Sequence, residues 1–411
     1  MKNLQRRVTV IAAALSLTAA PSARAFEAID TIGWPSHGVF PAYPADETRP
    51  TGILLEAGVM RDDNVLRAET NPQADTITRV GGAVRYDQRI VGRQRLRLDA
   101  RGDYYKYAHS TNLDHGAYAL AGDWLWEAGN SLAGTLTAGY VQRQAALSET
   151  QADRLDLVKS ATVAGTAAYL ITPRVRLRGG LAGVKEERTQ AVKTESNAAT
   201  GTAAVEYVSP LLNTVGVEYR NTHGEAPLAV GAIGDTDYVE QELAVVATYA
   251  LGAQLRFAGR LGYTSRDYDQ ENATQHNFAG PTGRMRLEWL PGYKTVLGFD
   301  AYREPRSVIE VNASHMIVSG VSFGPRWAVT NKVVLEALLV RERRVFDGDP
   351  ALAAGTTRRD ELIHLARISV GWEPARFWQL SAAFDHGERE SNVVGRDYQF
   401  NAVMGNIAYA W

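Results

Sequence analysis

Arginine and carboxylate residues recur at alternate positions along this chain, and that spacing is its first feature with chemical content. Between Arg95 and Tyr105, Arg95, Arg97, Asp99, Arg101 and Asp103 hold one parity, while Leu96, Leu98, Ala100, Gly102 and Tyr104 hold the other. Arg174, Arg176 and Arg178 alternate with Val175, Leu177, Gly179 and Leu181. Arg256 and Arg260 oppose Leu255, Phe257, Gly259, Leu261 and Tyr263, and Arg284, Arg286 and Glu288 oppose Met285, Leu287 and Trp289. Guanidinium and carboxylate groups at this spacing can form charge-assisted ladders. Planar donors beside aromatic faces also suit hydroxyls, carboxylates and pyranose rings. The chain has none of the hydrolase, zinc-protease or phosphate-loop motifs. His109, His115, His223, His276, His315, His364 and His386 are scattered without metal-ligand spacing, and the absence of cysteine removes disulfides and thiolate metal sites. No catalytic residue, metal or cofactor is assigned, and the chain is not read as an enzyme.

The elements that would position these side chains have a period of two. Side chains alternate across a strand, so each segment carries one apolar and one charged face, whereas a helix would mix them. Such strands suit a soluble sandwich or an outer-membrane barrel. Strands of roughly 10–15 residues exceed the soluble mode of about 5–6 and meet the ~9–11 needed to cross a membrane. Tyr104, Tyr107, Trp124, Trp126, Tyr249, Tyr263, Trp289, Trp327, Trp372 and Trp378 fall near strand ends, as membrane girdles do.

Connections alternate in length. Short turns are expected at 91–93, 129–130, 172–173, 209–210, 252, 291–292, 330–331 and 373–374. Longer polar stretches fall near 62–75, 108–115, 144–157, 188–197, 223–235, 267–275, 304–309, 346–358 and 388–395. About eighteen strands follow, with both ends in the periplasm. The predicted fold is all-β: a transmembrane antiparallel up-and-down barrel over 53–411. Residues 26–52, rich in proline, form an expected periplasmic leader. Residues 1–25 read as a signal peptide: a basic start (Lys2, Arg6, Arg7), an apolar run from Val8 to Ala20, and the small-x-small site Ala23-Arg24-Ala25. Past it no apolar run approaches the length of a membrane helix. A net charge of −2 gives no basic excess for nucleic acid.

At this strand number the lumen can be an aqueous channel. Its expected lining is Arg79, Arg85, Arg95, Arg97, Asp99, Arg101, Asp103, Arg174, Arg176, Arg178, Glu218, Arg256, Arg260, Arg284, Arg286, Glu288, Asp300, Glu336 and Arg367. Ile407, Tyr409 and Trp411 alternate at the end of the chain, as in the assembly signal of bacterial outer-membrane barrels.

Several segments resemble EpsL-type outer-membrane proteins of exopolysaccharide operons, within the beta-barrel porin superfamily. These are Asp62-Asp63-Asn64-Val65-Leu66-Arg67, Asp75-Thr76-Ile77-Thr78, Gln94-Arg95-Leu96 with Tyr104 and Tyr107, and Trp124-Leu125-Trp126 with Leu132 and Gly134. The resemblance spans most of 53–411 and is sharpest over about 53–140. It departs at Val65-Leu66, where Leu-Phe is usual, and weakens in 188–235 and 305–330. It implies a bacterial outer-membrane protein that takes part in exopolysaccharide export, and it supplies no functional residues. A general or small-solute diffusion porin is the alternative, and a surface adhesin with a loop-blocked lumen is a third class. Expected partners are outer-membrane lipid, the barrel assembly machinery, an exopolysaccharide and periplasmic polysaccharide-export components, with no nucleic acid. Asp62, Asp63 and Asn64 have the types of a cation loop, but the turn chemistry of Asp and Asn also accounts for them.

Overall fold

A strand with unpaired edges and one apolar face cannot sit alone in lipid, because each open backbone group would lack a hydrogen-bond partner there. Closure into a barrel removes the edges. In the computed structural model the described residues are 50–151, 153–189, 195–225, 237–269, 277–310, 313–347 and 357–411. The expected signal segment 1–25, and the leader 26–52 apart from its last three residues, lie outside them.

The strands are β1 (Thr51–Asp62), β2 (Asp75–Arg89), β3 (Arg95–Tyr107), β4 (His115–Ala128), β5 (Leu132–Gln144) and β6 (Leu157–Thr172). Then come β7 (Val175–Arg188), β8 (Glu195–Val208), β9 (Thr214–Glu225), β10 (Asp237–Leu251), β11 (Leu255–Tyr268) and β12 (Phe278–Gly292). The last six are β13 (Thr295–Glu310), β14 (Ala313–Ala328), β15 (Val333–Asp347), β16 (Asp360–Ala375), β17 (Trp378–Ser391) and β18 (Tyr398–Ala410). Each pairs antiparallel with its sequence neighbours, and β1 closes on β18 from Leu54↔Ala410 to Asp62↔Ala402. Two bonds lock the seam: Ile53 N–H to the Trp411 carbonyl at 2.7 Å and Trp411 N–H to the Ile53 carbonyl at 2.8 Å. The result is the expected all-β, closed 18-strand up-and-down barrel. Among the described residues, helix is confined to the single turn α1 (Leu147–Thr150) and a 3-10 turn at Thr111–Leu113. Even the 12-residue β1, at ~3.3 Å per residue and a tilt of about 40°, rises roughly 30 Å and so crosses a hydrocarbon core.

One face of every strand carries the exposed large hydrophobics, including Leu55, Val84, Leu98, Leu181, Val245, Leu261, Met285, Leu339 and Ile368. At the turn end this band finishes in Trp124, Tyr169, Tyr207, Tyr249, Trp289, Trp327, Trp372 and Trp378. That ring is an aromatic girdle at the periplasmic interface. Gly134 belongs to the same surface: a Cβ there would come within 2.4 Å of the Trp126 ring, so glycine lets the indole lie flat against the strand.

The structure departs from the sequence reading at several places. The stretch 304–309 is not a loop but part of β13, whose ladder with β14 continues through Pro305↔Ile317 to Ser307↔His315. Glu304 and Arg306 are two apart on one face and join at 2.8 Å, which sustains the strand through the proline. Two short turns close later than expected, one by two residues at 293–294 and one by three at 376–377, the second on Phe377 at φ 73°. Tyr107 is not a girdle residue: it lies on the lumen parity, is buried, and donates its hydroxyl to Gln144 Oε1 at 3.0 Å.

Candidate functional site

The face opposite the apolar band is the lumen wall, and in the strands its cations are all arginine. Lys106, Lys159 and Lys185, the lysines of described strands, share the outward parity instead. Guanidinium groups suit this wall because their fixed fork can bridge carboxylates on neighbouring strands.

On β1–β3, Glu56 accepts from Arg79 at 2.6 Å and from Arg101 at 2.5 Å, while Arg101 also reaches Asp103 at 2.6 Å. The Glu56 and Arg79 side chains are almost wholly buried, at 1% and 2% exposed. On β7–β11 a second bank runs from Arg176 to Glu206 (2.6 Å), Glu206 to Arg178 (2.9 Å) and Arg178 to Glu218 (2.7 Å). It continues through Arg260, which touches Glu218 at 3.5 Å and also pairs with Glu242. Between the banks, the middle of the β4–β7 wall carries Ala119, Ala121, Thr137, Ala164, Thr166 and Ala182, and the Thr135 and Thr166 hydroxyls join at 2.7 Å. This sector is neutral and its side chains are short, beside two charged walls.

Nearer the outer mouth, Arg367 grips Asp385 with bonds of 2.6 and 2.7 Å, and Arg344 reaches Glu342 at 2.7 Å. Tyr302 also donates to Glu342, and the Arg284 guanidinium lies 5.1 Å above the tyrosine ring. Gly320 makes room for that ring, since a Cβ there would come within 2.5 Å of it. Toward the periplasm the pairs are hydrated: Arg85–Asp99 (2.6 Å), Arg286–Asp300 (2.9 Å), Arg326–Glu336 (3.2 Å), Arg97–Asp87 (3.3 Å) and Arg256–Glu288 (3.8 Å). Arg95 also pairs with Asp87.

Thus Arg79, Arg85, Arg95, Arg97, Asp99, Arg101, Asp103, Arg176, Arg178, Glu218, Arg256, Arg260, Arg284, Arg286, Glu288, Asp300, Glu336 and Arg367 lie on the wall face. Arg174 does not: it sits exposed in the 173–174 turn, where the chain has already left β6 and its carbonyl accepts from Val208 N–H at 2.8 Å. Glu56, Asp87, Glu206, Glu342 and Asp385 were missed as wall residues. They share the correct parity, but only the strand register shows which arginine each one meets.

The outer mouth has an element that periodicity does not reveal. Segment 145–156, within the stretch 144–157 expected as an external loop and described except for Ala152, crosses the mouth from β5 toward β17. Leu147 packs on the cluster of Val65, Leu66, Ile77, Tyr107 and Leu113. Arg188 on β7 holds Glu149 at 2.7 Å. From the far side, Arg389 on β17 donates to the Ser148 carbonyl at 2.8 Å and Arg396 to the Glu149 carbonyl at 3.2 Å. Gln151 Nε2 reaches the Arg67 carbonyl at 2.7 Å. The motif 62–67 forms the rim below it. Asp62 accepts two bonds from Arg67 at 2.9 and 2.8 Å, and Asp63 accepts from the backbone and side chain of Asn401 at 2.7 and 2.9 Å. Turn chemistry therefore accounts for these acids, and among the described residues no acidic or histidine group is arranged to hold a metal.

At the chain end, Ile407, Tyr409 and Trp411 take the outward parity, with the Tyr409 ring 5.2 Å from Trp378.

Residues 242–410 match the model of a family described as "Putative beta-barrel porin 2". The chain lies in the bacterial outer membrane as a closed 18-strand β-barrel. The match falls on the C-terminal strands, whereas the segments that resemble the EpsL type fall on the first five. No curated protein matches the chain. Among solved structures, OpdK from Pseudomonas aeruginosa is 10% identical, with 88% of this chain and 99% of that chain covered and a TM-score of 0.49. OccK2 (OpdF) from the same organism is 12% identical over 88% and 97% of the two chains, also at 0.49. OccAB3 from Acinetobacter baumannii is 12% identical over 88% and 98%, at 0.46.

Proposed function

We propose that the barrel conducts small polar solutes, of the size of single sugars and sugar acids, across the outer membrane. The observation that carries this reading is the bridge of residues 145–156 over the outer mouth, tied on its own side by Arg188 and on the far side by Arg389 and Arg396. A segment tied in this way narrows the mouth and disfavours the passage of a bulky or branched polymer more than that of a single sugar. Below it, a hydroxylated solute can follow the short-chain wall of β4–β7 and exchange hydrogen bonds with the arginine–carboxylate banks on either side. Because those arginines are already paired, passage costs little rearrangement of the wall. The test is flux into proteoliposomes holding the purified barrel, over a ladder of neutral and acidic sugars. Monosaccharides should pass readily, with a sharp fall by the tetrasaccharide. Equal flux of long oligosaccharides, or none for any sugar, contradicts the proposal.

Export of a secreted exopolysaccharide is a second reading, favoured by the resemblance of the first five strands and by the arginine and tyrosine side chains of the wall. It requires the 145–156 bridge to swing aside. A deletion strain that retains polymer in the periplasm would support it, and unchanged secretion would remove it.

A further inference from the structure

The two ends of the apolar band are unlike. At the periplasmic end the band finishes in aromatic rings, but on β13–β17 its outer end carries charged side chains and imidazoles. Above Phe299, Leu339 and Ile368 the next outward residues include Arg303, Arg341, His364 and His386. Arg341 is exposed, faces His364 directly across the β15–β16 ladder, and has no carboxylate partner among the described residues. Arg303, two strands away, is also exposed, and among the described residues its guanidinium bonds only neutral oxygens: the Pro281 carbonyl and Ser319 Oγ, both at 3.2 Å. Of the nearby acids, Asp360 is taken by Arg343 in a bidentate pair. Glu388 stands across from His364 on the side away from Arg341, and the exposed Glu390 lies two residues further out on β17, opposite Leu362.

Most of the described lumen arginines pair with carboxylates, whereas Arg303 and Arg341 face lipid. A cation on a lipid-facing wall is costly unless its head reaches the interface and finds an anion there. We infer that this surface binds the phosphate of an outer-leaflet lipid headgroup, with Arg341 and Arg303 as the charged contacts and His364 as an added donor. The site lies outside the barrel, so it does not depend on what the lumen carries.

The test uses the full mature barrel in nanodiscs, with retained lipid counted by native mass spectrometry. The probes are a bis-phosphorylated lipid A and the same lipid with its phosphates removed. At about 1 kcal/mol for each basic residue near a charged headgroup, R303Q with R341Q should lower retention of the phosphorylated lipid roughly 30-fold. The variant R61Q with K106Q, on the outward face of β1 and β3, should leave retention unchanged. Dephosphorylated lipid should bind no better to the native protein than to R303Q/R341Q, and millimolar inorganic phosphate should not compete. Equal retention of both lipids, equal loss in both variants, or full competition by free phosphate overturns the inference. Since the substituted positions are exposed, heat-modifiable migration on gels reports whether each variant keeps its barrel. R303K/R341K, which keeps both charges, must restore retention.

Discussion

Releasing the bridge across the outer mouth should change how the channel fluctuates. Arg389→Gln with Arg396→Gln removes the two guanidinium donors that reach the Ser148 and Glu149 carbonyls from the far wall, at 2.8 and 3.2 Å. Hydrogen bonds from charged donors contribute about 1.5–3 kcal/mol each, and the longer one belongs at the weak end, so the pair contributes roughly 3 kcal/mol. That amount multiplies the population of the released segment on the order of a hundredfold. The near-side ties remain, since Arg188 still holds Glu149 and Gln151 still reaches the Arg67 carbonyl. Glu361 keeps Arg359 at 2.5 Å, so no carboxylate is stranded. Single-channel recording in planar bilayers should show frequent steps to a higher conductance that are rare in the native protein. Identical current levels and dwell times in the two proteins would refute the claim that 145–156 obstructs the mouth.

Three further outcomes follow from the wall and the seam. Glu56→Gln takes the charge from a carboxylate that accepts from both Arg79 and Arg101, and breaking so buried a pair should cost about 3 kcal/mol, read as a lower urea midpoint in detergent or liposomes. Gly320→Val should push the Tyr302 ring off the wall and break its bond to Glu342, giving about 1–3 kcal/mol of destabilisation and an altered conductance. A chain truncated after Tyr409 loses both Trp411 seam bonds and should give less heat-modifiable barrel in the outer membrane, with no change in total synthesis.

The period of two was enough to read the barrel itself. Alternation in segments such as 95–105 reflects a local property, the pleat, and needs no knowledge of neighbours. Most short chain reversals were also legible, because glycine, proline and asparagine act through their own backbone, but Pro291-Gly292 and Glu373-Pro374 stay in their strands and the turns follow them. What stayed hidden is non-local. Nothing near Arg101 points to Glu56, since only the β1–β2–β3 register brings them together. Pro305 looks like a break until the Glu304–Arg306 pair and the ladder to β14 are seen. Segment 145–156 has ordinary loop composition, and its inward course depends on arginines more than 240 positions away in sequence for two of its contacts. Arg174 failed for the opposite reason: its parity was right, but the strand begins one residue later.

The central claim is that water lies on one face of each strand and lipid on the other, within a conducting cylinder. The chain has no native cysteine, so single substitutions Arg97→Cys, Asp99→Cys, Leu98→Cys and Ala100→Cys can be compared in planar bilayers under a charged, water-soluble thiol reagent. Modification at 97 and 99 should change the ionic current within seconds, and modification at 98 and 100 should leave it unchanged. Equal response at all four positions, or no current from any of the four proteins, would contradict the account.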